Sequence, residues 1–410
     1  FAMRFSAPLA DHAFLNTEDD ITYRGFQAPG RGTDAVAERL GRALVARLDF
    51  GRLDHPLEVR VGISGVDEAG AIANLQSEPG DFDVVRAHTQ AAWAQALAAV
   101  DIDAPPPMRT SLYTAFYHAL LAPSVWSDAD GRYRGTDDQV HQADGFTFRS
   151  TFSLWDTFRA EHPLLTLIQP EQTTSDVVRS LVASQQESPY GILPIWQFAG
   201  RETWTMIGYH SVAVIADAYM KGIRGFDAEE ALRAVVASAT YGPYGSLSEY
   251  MRLGYVPVDH DDEAASKTVE YAYDDWTIAR MAGAMKQAET ASAFTKRAAN
   301  WRNNFNTQDG FVEPRLANGE YRVPFDPARA GAGSGFTEGN AWQYSWYQPH
   351  DVQGLIDLLG GKQQLIAKLD AMFDAKVDPH QYAEVEDISG MIGQYIHGHE
   401  PSHHLAYLYD

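Results

Sequence analysis

Phe82-Asp83-Val84-Val85-Arg86-Ala87-His88-Thr89-Gln90-Ala91-Ala92-Trp93-Ala94-Gln95-Ala96-Leu97, running on to Val100, sets Val85, Ala92, Trp93 and Leu97 at helical spacing. One face of a 3.6-residue period is thereby apolar, which predicts an amphipathic helix. The stretch decides the fold because the pattern is different on its two sides. Upstream, Phe1-Ala2-Met3-Arg4-Phe5-Ser6 and Leu57-Glu58-Val59-Arg60-Val61-Gly62-Ile63 alternate in the strand manner, with Gly and Pro between runs. About three to five strands are too few for an independent sandwich. Residues 1–66 therefore read as the tail of a β-sandwich domain, with 67–108 as a helical linker. Downstream, the helical period returns near 109–122, 171–186, 203–222, 227–240, 266–304 and 339–374. Helix after helix without alternating strands predicts a mainly α toroid over 109–410 rather than a parallel α/β sheet. Long loops between the helices, such as 123–150, are where such a fold carries function.

The composition narrows the chemistry. The 410 residues hold 55 acidic against 32 basic side chains, a net charge of -23. Such a surface repels phosphate backbones and anionic lipid, so neither nucleic acid nor a membrane is the expected partner. No stretch approaches eighteen apolar residues, which argues against a spanning helix. With no cysteine, thiol catalysis and thiolate metal sites are excluded. Nine Trp and twenty Tyr, many beside polar groups, suit carbohydrate, whose rings offer a C–H face and hydroxyls together.

Five constellations stand out. Ser153-Leu154-Trp155-Asp156-Thr157 sets an aromatic beside a carboxylate; its plainer reading is a capped helix start. His210 opens an apolar helix, where a lone histidine is usually a bonded core group. Glu270-Tyr271-Ala272-Tyr273-Asp274-Asp275-Trp276 packs adjacent aspartates that side-chain packing alone does not explain, although a solvated charged pair would. Glu338 lies at a loop-to-helix junction in Phe336-Thr337-Glu338-Gly339-Asn340-Ala341-Trp342. Near the end, His399-Glu400-Pro401-Ser402-His403-His404 spells H-E-x-x-H, the zinc-protease pattern. Pro401 argues against that reading, because both histidines would have to share one face of a continuous helix.

In their order along the chain, these blocks and their companions Gly62-Ile63-Ser64, Met206-Ile207-Gly208-Tyr209-His210-Ser211, Lys221-Gly222-Ile223, Pro349-His350-Asp351 and Gly393-Gln394-Tyr395 resemble the glycoside hydrolase family 92 α-mannosidases. The resemblance implies a β-sandwich followed by an (α/α)6 barrel, a Ca2+ cofactor, and an extracellular or periplasmic location. It implies exo-acting hydrolysis with inversion, in which an acid protonates the leaving oxygen and a carboxylate roughly 6.5–9.5 Å away activates water. Glu338 matches the family's general acid, and a Glu there favours a glycosidic over a phosphodiester substrate. His399 before Glu400 resembles the α-1,2-specific members, with both residues bonding the leaving-side mannose. Trp155 and Asp156 would hold the mannose that is cleaved. His210, Asp275, His403 and His404 are candidates for sugar contact or support. The family's base belongs to a Gly-Asn-x-Asp-like segment beyond this sequence, so the chain reads as a fragment that carries the acid and lacks the base. A mannan-binding protein without turnover is the non-catalytic alternative.

Overall fold

The computed structural model describes residues 1–16, 21–22, 25–26, 44–382, 385 and 388–410; the strand expectation over 17–20, 23–24 and 27–43 lies outside them. Contacts divide the chain into two compact units, Phe1–Gln95 with Asp128–Asp130, and Ala96–Ser127 with Gly131–Asp410.

In the first unit the alternating residues form short antiparallel pairs. Ala2–Phe5 pairs with Val59–Gly62, and Asp11–Asn16 pairs with Leu44–Asp49 in the register Asp11 to Asp49. The helix Glu68–Ser77 begins where Asp67 accepts the Gly70 amide at 2.6 Å. It packs so closely on the strand that a Cβ at Gly62 would lie 2.1 Å from the Ala71 carbonyl. Asp128 is tied in by Ser64 Oγ (2.6 Å) and Asn74 Nδ2 (2.8 Å), which gives Ser64 a structural task.

The second unit is mainly helical, with consecutive helices packed in pairs as in an (α/α)6 barrel. Its central element is Ala264–Ala284, which packs against Ser211–Met220, Ala228–Ala239 and Ala288–Ala298. Fifteen of its 21 residues are buried, far more than the stripe of an ordinary surface helix, so it lies inside the ring. One apolar cluster runs from Phe152 through Val212, Ile278 and Trp346 to Leu405.

Three expected helices are shorter than the sequence suggests. The run 266–304 breaks at Lys286, whose φ of 61° no right-handed helix accommodates. The run 203–222 becomes helical only at Ser211, because Trp204 (φ 56°) and Gly208 (φ 87°) are left-handed. The run 339–374 divides into Ala341–Tyr344, Val352–Leu359 and Lys362–Asp374, the second ending on Gly360 (φ 92°). Among the described residues no helix is long and apolar enough to cross a membrane.

Candidate active site

Glu338 is presented by a backbone clamped on both sides. Before it, Gly335 accepts the Ala265 amide at 2.9 Å, and the Thr337 amide and hydroxyl donate to Ser266 Oγ and Glu263 Oε1, each at 2.9 Å. After it, Asn340 caps the next helix by accepting the Trp342 amide, while Gln343 Oε1 accepts the Asn340 amide at 2.7 Å. Between these anchors Glu338 is half-buried with φ at 50°, a left-handed conformation that a glutamate does not choose unaided.

Gly339 lets His399 approach. A Cβ on Gly339 would lie 3.0 Å from His399 Nε2, so any larger residue would push the imidazole away. His399 is 1% exposed, and its ring meets Tyr344 and Trp155 edge-on at 5.1 and 6.3 Å. Nδ1 lies 2.8 Å from Ser402 Oγ. Burial, then the Arg159 charge, pushes its pKa down to about 3, leaving a neutral imidazole. Nε2 has no hydrogen-bond partner of good geometry, and the Thr337 backbone offsets part of the downward shift.

Trp155 and Glu400 bring the remaining carboxylates together. Asp156, half-buried beside Trp155, has its pKa pushed up to about 6 by burial and then by the like charge of Glu400. Glu161 follows, pushed up to about 7 by burial and then by Asp156. Its Oε1 and the Thr157 hydroxyl are buried without hydrogen-bond partners. Glu161 carried no sequence signal beyond a place at a helix start.

A buried charge network backs this group. Glu270, fully buried, accepts the Trp155 indole N–H at 3.0 Å and pairs with Arg159 at 3.2 Å. The Arg159 guanidinium lies 4.9, 4.6 and 5.0 Å from the rings of Trp155, Phe158 and Tyr347. His210 stacks on Phe158 at 4.2 Å; its Nδ1 is 2.9 Å from Asp274 and its Nε2 is 2.8 Å from Glu270, the latter in ion-pair contact off the hydrogen-bond angle. Burial would discharge His210, but Asp274 and then Glu270 overcome it and raise the pKa to about 9.

The other candidates divide. Trp155 is 2% exposed and committed to Glu270 and Arg159, so it backs Asp156 rather than offering an open ring for stacking. His210 likewise supports. Asp275 does not join the site: it lies in the helical wall, accepting Tyr209, Tyr250 and Arg297 at 2.9–3.0 Å. His404 Nε2 meets the Trp346 carbonyl at 2.9 Å, again a support. His403 is exposed and its Nε2 meets the His397 carbonyl at 2.9 Å. The H-E-x-x-H zinc reading fails here, because Glu400–Ser402 is a three-residue 3-10 turn that leaves His399 buried and His403 outside. Among the described residues no cluster of three His, Asp or Glu could hold a metal ion.

Residues 70–410 match the model of the glycosyl hydrolase family 92 catalytic domain. The fold is similar to the GH92 α-mannosidase BT3965 from Bacteroides thetaiotaomicron in complex with mannoimidazole, with a TM-score of 0.89 and 36% identity over 99% of this chain and 54% of that one. It is also similar to the GH92 inverting mannosidase BT2199 from the same organism, with a TM-score of 0.81 and 30% identity over 99% of this chain and 56% of that one. An uncharacterized secreted glycosidase of Arthroderma benhamiae is 25% identical over 366 residues, 78% of this chain and 42% of that protein. The chain thus spans about half the length of the relatives it matches.

Proposed function

The chain belongs to glycosyl hydrolase family 92, and from that premise we propose that the protein is an exo-acting, inverting α-mannosidase removing terminal α-1,2-linked mannose from mannans or N-glycans. The observation that carries this reading is the convergence of Thr337–Gly339, His399–Glu400 and Trp155–Asp156, three stretches far apart in sequence, through His399. In this reading the Glu338 carboxylic acid donates its proton to the glycosidic oxygen, since a sugar alkoxide is a poor leaving group. Asp156, ionised above about pH 6, accepts hydroxyls of the mannose being cleaved. Neutral His399, anchored by Ser402, turns Nε2 toward the leaving mannose, and Glu400 accepts a neighbouring hydroxyl. That pairing is what selects the linkage. Inversion also needs a base, and none of the present residues is assigned that role.

Calcium is part of the proposal, supported by the family resemblance alone. The described residues form no cluster of three His, Asp or Glu that would hold it. Secretion is proposed on the description of the fungal relative. The test is incubation of the full-length protein with α-1,2-, α-1,3- and α-1,6-mannobiose, alongside Glu338→Gln. Cleavage chiefly of the α-1,2 isomer is expected, with a rate loss of about 10²–10⁴ in the variant. Full activity in Glu338→Gln would remove the acid from this residue, and binding without cleavage would make the protein a mannan-binding one.

A further inference from the structure

Outside the Glu338 cluster, a cavity of about 360 Å3 opens between the hairpin strand Arg201–Glu202 and the end of the helix Ser175–Glu187. None of its lining residues belongs to that cluster. Its volume falls near the lower end of small-ligand pockets, about 300–1,000 Å3. Two lining aromatics face solvent: Trp204 is 38% exposed and Tyr190 47%, whereas Trp301 and Trp346 are 0% and 1%. Their rings meet edge-to-face, with centroids 5.3 Å apart.

The exposure of Trp204 is enforced by its surroundings. Its φ of 56° is left-handed, an outlier for a bulky side chain. Glu202 holds it there. Its carboxylate accepts the amides of Ile195 and Trp196 at 2.8 Å, Thr203 at 3.0 Å and Trp204 at 2.9 Å. Behind the indole stands Tyr244, 5.6 Å away, its hydroxyl donating to the Gly208 carbonyl at 2.8 Å. An aromatic fixed in this way loses little freedom when a ligand settles on it.

The polar wall is equally specific. Asp138, itself left-handed at φ 65°, pairs with Arg201 at 3.3 Å, and both side chains are mostly exposed. An exposed pair of this kind contributes little to stability, so either partner can exchange the other for ligand hydroxyls. Opposite charges at one edge favour a neutral polyhydroxyl ligand, and the chain's net charge of -23 repels polyanions. We propose that this cavity is a second carbohydrate site, taking one neutral hexopyranose unit of a mannan chain, with its C–H face on Trp204, its edge against Tyr190 and its hydroxyls on Asp138 and Arg201. The choice of mannan rests on the proposed function.

The test uses the full-length protein with Glu338→Gln, so that mannan is bound and not consumed, and reads retardation in gels containing soluble α-mannan. Trp204→Ala and Tyr190→Ala are each expected to weaken retardation about tenfold, the loss of one aromatic face. On the wild-type background the same changes should leave α-1,2-mannobiose turnover within about twofold, since neither residue belongs to the Glu338 cluster. Melting curves identify a variant that has lost its fold, and the exposed Tyr190 gives a second reading free of the Trp204 backbone strain. Unchanged retardation in both folded variants overturns the proposal. Failure of the proposed activity is separate, because it appears as absent mannobiose cleavage while mannan binding is still measured.

Discussion

Replacing Asp156 with Asn should make the protein more stable and inactive. Burial and the facing Glu400 raise the Asp156 carboxyl from 3.8 to about 6, so the folded state holds this proton more tightly than the unfolded chain does. The sign follows: ionised Asp156 costs nothing below pH 3.8, costs progressively more between 3.8 and about 6, and exerts its full penalty above that. Each tenfold in proton affinity is worth about 1.4 kcal/mol, which sets a ceiling of about 3 kcal/mol. Asp156 is only half-buried, and solvent screening reduces this to about 1–2 kcal/mol. Asn keeps the size and an acceptor and removes the charge. Thermal unfolding of wild type and Asp156→Asn at pH 8 and pH 4 checks the reasoning. The variant should melt about 1–4 °C higher at pH 8, with the difference vanishing at pH 4. Mannobiose turnover should be lost at both. A variant destabilised equally at both pH values would refute the reasoning, because Asp156 would then be a structural acceptor and not a carboxylate held against Glu400 for function.

Glu270→Ala strips Arg159, Trp155 and His210 of a shared partner, and denaturant unfolding should show a loss of about 3–5 kcal/mol, the cost of orphaning buried charge. Gly339→Ala should displace His399 and lower kcat/KM on α-1,2-mannobiose, with a melting temperature close to wild type; unchanged kinetics would place His399 outside the substrate's reach. Removal of calcium by EGTA should abolish turnover, and added Ca2+ but not Zn2+ should restore it; full activity after exhaustive chelation would remove the metal from the proposal.

The helical period was legible because burial demands it: the stripe in 227–240 becomes Ala228–Ala239, opened by Asp227 accepting the Glu229 and Glu230 amides. Helix interruptions were less so. Nothing in the composition of Lys286 or Trp204 announces a left-handed backbone, which the surrounding contacts impose. The site shows the same division. Glu338 was readable as a residue at a loop-to-helix junction, which the structure builds with the Asn340–Gln343 capping box. Asp274 and Asp275 were not separable, since neighbours on a helix diverge by about 100°, sending one toward His210 and the other toward Arg297. Glu270 was visible only as part of a dense motif, and its role depends on Trp155 and Arg159, more than a hundred residues away.

Arg159, protonated His210, Glu270 and Asp274 form one buried network of cations and acceptors. Its charges are still felt at the site: Arg159 and His210 pull the Asp156 carboxyl down against burial and Glu400, and Arg159 helps to keep His399 neutral. In the proposed reaction, a hexose turning positive as its bond lengthens would meet a carboxylate that these cations help to keep ionised, and so be favoured over the resting sugar. What looks like inert packing thus helps to set the charge of Asp156.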